Sequence, residues 1–208
     1  EINSTFANLA YVRRVAGDPL DPVSTKIVEV LGRDPIDDRT HFEEATLVVF
    51  TLGVAPCFFA SASGQFMMFL PREFSIKQLN KEYVWRNTSV EENINNIDAI
   101  VDVLTGINPD LKFVFSVSPI PLTCTFNYES VFVADCVSKS TLRVAIDRVV
   151  GQRSDQIFYW PSFEAFRWLG AHVGPVFGAD DKTANHASGF VVDMVCRVFR
   201  EKFCVEMT

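Results

Sequence analysis

Three stretches of this chain are mostly apolar: ATLVVFTLG (45–53), KFVFSVSP (112–119) and QIFYWP (156–161). A strand with one face in water alternates apolar and polar residues, because successive side chains point to opposite sides. A run without that alternation needs cover on both faces, as strands of a parallel sheet have. The three runs end on Gly53, Pro119 and Pro161, residues that halt a strand. Segments of helical period lie between them and after the last. Strand and helix in alternation predict a three-layer α/β/α sandwich around a mainly parallel sheet with right-handed crossovers.

The helices are marked by their ends. NSTFANLAYVRRVAG opens on Asn3 or Ser4 as N-cap and stops at Gly17, and DPVSTKIVEVLG reads as a short helix closed by Gly32. SVEENINNIDAIVDVLTG carries a capping box, Ser89 with Glu92, and a stripe of Val90, Ile94, Ile97, Val101 and Leu104, with Gly106 as its expected stop. SKSTLRVAIDRVVG is expected to start at Ser138 as N-cap and to end at Gly151. HASGFVVDMVCRVFREKF is expected to be helical, with Phe190, Val191, Met194, Val195, Val198 and Phe199 on its apolar side. CFFASASGQFMMFLP, two apolar runs around Ser63-Gly64, predicts a hairpin ended by Pro71.

A chain of 208 residues can build one sizeable core, and no repeat, low-complexity tract or linker divides it, so a single domain over 1–208 is expected. The net charge is −7, and the densest basic groups, Arg13-Arg14 and Lys139/Arg143/Arg148, form no stripe that could follow a phosphate backbone. Nucleic acid is therefore not an expected partner. The five cysteines show no CxxC or Cys/His spacing, which points to reduced thiols and a cytoplasmic protein. No membrane span or signal peptide is visible. His41, His172 and His186 share no HxH or HExxH spacing, so neither a metal nor a cofactor is expected. A flavodoxin-like nucleotide binder is the runner-up fold reading, but no Gly-rich phosphate loop follows any strand.

Four longer segments carry a family likeness. NTSVEENINNIDAIVDVLTGINPDLKFVFSVSPIPLTCTF, ADCVSKSTLRVAIDRV, FYWPSFEAF and NHASGFVVDMVCRVF, in that order and spacing, resemble the GSCFA family, which is similar to the SGNH-hydrolase superfamily. The resemblance implies a serine nucleophile, a His base near the C-terminus and work on O-acyl groups of carbohydrates or polysaccharides. Three departures accompany it. The Gly-Ser-Cys-Phe-Ala segment that names the family, and whose Ser would be the nucleophile, has no match in the chain, so the domain is expected to lack the N-terminal strand and nucleophile segment. Thr183 stands three residues before His186, where SGNH enzymes usually carry Asp, while Asp180 and Asp181 lie six and five residues ahead. Pro56 occupies a place that is often acidic in the family.

In open α/β sheets, ligands bind beyond the carboxyl ends of the strands. That rule selects the Gly53 turn, Ser116 to Pro119 and the loop holding His186. His186 is the candidate base, Asp181 its candidate orienting carboxylate. Gly53 could turn a backbone N–H toward a developing oxyanion, and Asn3 could add a side-chain amide or cap its helix. Ser118 is the best in-chain substitute for a nucleophile, or a polar strand end. Glu164, beyond a strand end, could bind sugar hydroxyls, orient a base or cap a helix. Trp85, Trp160 and Trp168 could form a sugar-stacking wall or fill core. The expected activity is hydrolysis or transfer of a carbohydrate or polysaccharide O-acyl group by Ser, His and Asp, on a carbohydrate or acylated small molecule. The alternative is an inactive carbohydrate-binding or scaffold module working with other domains of a larger polysaccharide-synthesis protein.

Overall fold

The computed structural model describes residues 3–19, 27–29, 31–67 and 76–204. All three apolar runs form parallel strands of one sheet: β1 (Leu47–Leu52), in the order β1-β5-β6 with β5 (Lys112–Val117) and β6 (Ile157–Trp160). Register places Phe50, Phe115 and Tyr159 side by side on one face, and Val49, Val114 and Phe158 on the other. The first face carries the core. Phe50 stacks on Phe115, and Leu52, Phe113, Val117 and Ile157 are buried with residues of three helices, α1 (Thr5–Val15), α4 (Val90–Ile107) and α5 (Val131–Gln152). Each such side chain withdrawn from water contributes roughly 1.5–3 kcal/mol. The opposite face is covered by α6 (Gly189–Phe203), whose Phe199 and Phe203 pack edgewise on Trp160. Sheet and two helical layers make a three-layer α/β fold.

The predicted hairpin is present as β2 (Pro56–Ala60) and β3 (Phe66–Met67); the remainder of that segment, to Pro71, lies outside the described residues. A further strand, β4 (Tyr83–Asn87), pairs antiparallel with β2 and completes a small second sheet ordered β3-β2-β4. Two short helices, α2 (Arg39–Glu44) and α3 (Ile76–Glu82), fill the intervals, and His41 lies in the first of them. Of the expected helix over 21–32, residues 27–29 are helical and most of the remainder is outside the described residues.

Helix ends follow local chemistry. Ser4, rather than Asn3, caps α1 by accepting the Ala7 N–H, and Gly17 closes it at φ +94°. Ser89 and Glu92 form the expected capping box, and Arg86 grips the Glu92 carboxylate through both ends. Gly106 does not stop α4. The helix continues to Ile107, which packs on the core, and Asn108 ends it, its side-chain amide bonding the carbonyls of Phe42, Glu43 and Ala45.

Two expectations about helices hold only in part, because apolar pattern and burial do not coincide. α5 begins at Val131, not Ser138, and runs one residue past Gly151. Its first turns expose Phe132 (85% accessible) and Val133 while burying Asp135, Ser138 and Lys139. In α6 only Val191 of the expected stripe is buried, and Phe190 and Val198 remain exposed. The helix also starts three residues after His186, because Asp180 accepts the Gly189 N–H at 2.6 Å.

Candidate functional site

The carboxyl ends of β1 and β5 and the loop before α6 enclose a cavity of about 740 Å³, whose lining includes Asn3, Gly53, Val54, Ser118, Ile120, Asp181 and His186. Five of the six sequence-level candidates thus meet on one wall.

His186 Nδ1 lies 2.6 Å from Asp181 Oδ2. A carboxylate on Nδ1 selects the tautomer protonated there and leaves Nε2 to take a proton. Asp181 Oδ1 also accepts the Thr183 N–H at 2.8 Å. These two bonds, the backbone one foremost, hold the Asp181 carboxyl below the usual carboxylate range. The five-residue spacing works because the chain turns back on itself: Lys182 adopts φ +63°, and the His186 N–H reaches the Thr183 carbonyl at 2.9 Å.

The loop carrying the pair is cross-braced. The Gly178 N–H donates to the His186 carbonyl, Phe177 bridges Ala187, and Ser188 Oγ joins the Pro175 carbonyl to the Ala179 N–H. Gly178 sits at φ +70°, and a Cβ there would lie 3.2 Å from the Thr183 carbonyl oxygen, so glycine is required. These bonds fix the imidazole's approach before any ligand binds.

Gly53 has a different role from that of a free donor. Its N–H donates to the Asn3 carbonyl at 2.7 Å, and the Val54 N–H reaches the same oxygen at 3.2 Å. Because the amide is already engaged, Gly53 acts by close approach: a Cβ would stand 3.1 Å from Asn3 Cβ. Asn3 thereby lines the cavity rather than capping α1. Ser118 extends the strand through its N–H to the Leu52 carbonyl, and its Oγ accepts weakly from the Ile120 N–H at 3.3 Å. Among the described residues no hydrogen bond joins Ser118 to His186.

Glu164 is elsewhere. It accepts from Arg143 Nε at 2.9 Å and from the Tyr159 hydroxyl at 2.6 Å, with the guanidinium stacked over the Tyr159 ring, and it is not part of the cavity lining. Its carboxylate is held by the α5–β6 packing, neither capping a helix nor facing His186. The tryptophans form no common wall: Trp160 packs under α6, Trp168 is 74% exposed, and Trp85 sits with Phe58 and Phe126.

The sequence reading missed what ties the strand-end loops together beside the cavity. Lys139 is 1% accessible, and its ammonium donates to the Gly53 carbonyl at 2.7 Å and the Ile120 carbonyl at 2.8 Å. Burial lowers its pKa to about 8; the Asp135 charge raises it and Arg167 adds to the fall. One turn earlier, Asp135 accepts the Leu122 N–H at 3.0 Å and pairs with Arg167. Ser138 Oγ accepts the Ala55 N–H at 2.9 Å. Three consecutive inward positions of α5 thus tie down both strand-end loops. The available signal was their spacing: 135, 138, 139, 142, 145, 146 and 149 form one helical stripe, and polar groups on a buried stripe bond something specific.

Among the described residues no helix is long and apolar enough to cross a membrane. The model of the GSCFA family matches residues 20–199, most of the chain. No curated protein matches it.

Proposed function

Since the chain belongs to the GSCFA family, we propose that it handles acyl esters by a Ser-His-Asp mechanism, with the serine supplied by a segment preceding Glu1. The observation that carries this reading is the His186–Asp181 pair, 2.6 Å apart on the cavity wall at the strand carboxyl ends. The serine hydroxyl attacks the acyl carbonyl while His186 Nε2 takes its proton, and Asp181 stabilises the imidazolium. Collapse of the tetrahedral intermediate passes that proton to the departing alkoxide and leaves an acyl-enzyme. Water then cleaves it with His186 as base, giving an esterase, or a sugar hydroxyl does so, giving a transferase. The Asn3 side chain is the proposed oxyanion donor, held in place by Gly53.

Three features support this reading. The dyad loop is braced before binding. β1 is an edge strand of the described sheet, so a further strand paired parallel beside it would end next to the cavity. The resemblance to SGNH enzymes supplies the acylated carbohydrate as substrate class. The proposed setting is separate from these: a reducing cytoplasm, with which five free cysteines, four of them exposed, agree.

A second reading, an inert carbohydrate-binding or scaffold module acting beside other domains, is favoured by two observations. The Gly53 N–H is already taken by Asn3, and no hydroxyl among the described residues is bonded to His186. Release of acyl groups from O-acylated polysaccharide by the full-length protein separates the two. The enzyme reading expects turnover that His186→Ala abolishes; saccharide binding without turnover in either protein supports the module.

A further inference from the structure

A second, smaller cavity of about 200 Å³ opens between α1 and the β3-β2-β4 sheet. Ala7, Val54, Pro56, Phe58, Met67 and Trp85 line it, and Asn3 and Val54 belong to its wall and to that of the His186 cavity alike. The two spaces are therefore neighbours, with Asn3 and Val54, beside Gly53, common to both walls. Cys57 lines it too, and burial pushes that thiol up to about 12, so it stays neutral and adds apolar rather than nucleophilic surface. The Ser4 hydroxyl is engaged by the Ala7 N–H. Most of its side chains are apolar, with Asn3 and Ser4 adding polar groups, and beside a proton-accepting His such a pocket suits an uncharged hydrocarbon group attached to the bond being cleaved better than a sugar, which needs more hydrogen-bond partners.

We propose that this side pocket receives the acyl chain of the substrate, and that the chain is linear and short, longer than acetyl. Space sets the length: at roughly 30 Å³ for each water-sized unit, comparable to one methylene, the pocket holds about six carbons. This assignment rests on the acyl-ester reading of the His186 cavity.

The test uses the full-length protein and p-nitrophenyl esters from acetate to decanoate. The pocket predicts that kcat/KM rises about fourfold per added methylene, peaks near hexanoate and falls beyond it. Ala7→Phe, or Met67→Trp if the first variant does not fold, moves the peak to shorter chains, with losses that grow with length. A flat profile, or a peak that neither folded variant moves, overturns the proposal. If no ester is cleaved by the wild type, the acyl-ester reading fails, and hexanoate titrated against tryptophan emission decides the pocket separately. A saturable change in emission, lost in Ala7→Phe and in Trp85→Phe and not produced by acetate, upholds it as a short-acyl site; no saturable change refutes it.

Discussion

Replacing Lys139 with Met is the substitution whose outcome the structure fixes most closely. The side chain keeps its length and loses the ammonium that joins the Gly53 and Ile120 carbonyls. Its pKa falls from an ordinary 10.5 to about 8, chiefly through burial. At about 1.4 kcal/mol per pH unit, keeping the charge at neutrality costs the folded state about 3 kcal/mol. Met removes that cost but leaves two carbonyls without their donor, at about 1–3 kcal/mol each. The two effects nearly cancel at pH 7, so stability there changes little. The pH dependence does not cancel. Between about 8 and 10.5 the folded chain has released a proton that the unfolded chain still holds, so wild-type stability rises with pH across that window. By pH 10 the gain over pH 7 is roughly 2–3 kcal/mol from this group alone. Urea unfolding of both proteins at pH 7, 8, 9 and 10 measures it as a difference in which other titrating groups drop out. The wild type should gain relative to Lys139→Met as pH rises. A difference that stays flat from pH 7 to 10 would mean that the ammonium is not desolvated, and would remove Lys139 as the tie between the two loops.

Other expectations follow from single contacts. Gly53→Ala drives a methyl to 3.1 Å from Asn3 Cβ and should destabilise by about 1–3 kcal/mol in urea unfolding. Asp181→Asn breaks the carboxylate–imidazole pair and should lower acyl-ester turnover roughly 10²- to 10⁴-fold with KM little changed, seen in steady-state kinetics of the full-length protein. Asp181's carboxyl is held low, so its contribution to stability is present above the ordinary carboxylate range and is lost as pH falls through the lowered value; an Asp181→Asn unfolding series toward acid should lack that loss. Native-state alkylation should label Cys124, Cys136, Cys196 and Cys204 and spare Cys57, read by peptide mass spectrometry.

The parallel strands were legible because burial on both faces leaves an unbroken apolar run, and α1 and α4 because Ser4, Ser89 and Glu92 cap locally. α5 was not, because the usual inference inverts there: Phe132 is outside and Lys139 inside. β4 escaped notice since YVWRN mixes charge and aromatics, and its pairing partner lies a hairpin away. In the site, strand-end logic found Gly53 and Ser118. The reach of Asp181 to His186 depends on one left-handed residue, Lys182, that spacing cannot show. Glu164 was placed correctly along the chain, just past β6, yet faces Arg143 and Tyr159, a matter of side-chain direction that sequence order does not carry.

The central claim is that His186, oriented by Asp181, activates a serine delivered to this cavity. Treating the full-length protein with a fluorophosphonate and mapping the adduct by mass spectrometry tests it most directly, with His186→Ala alongside. The account predicts one labelled serine, located before Glu1, whose labelling disappears in the variant. Labelling that survives in His186→Ala, or no labelled serine at all, would contradict it.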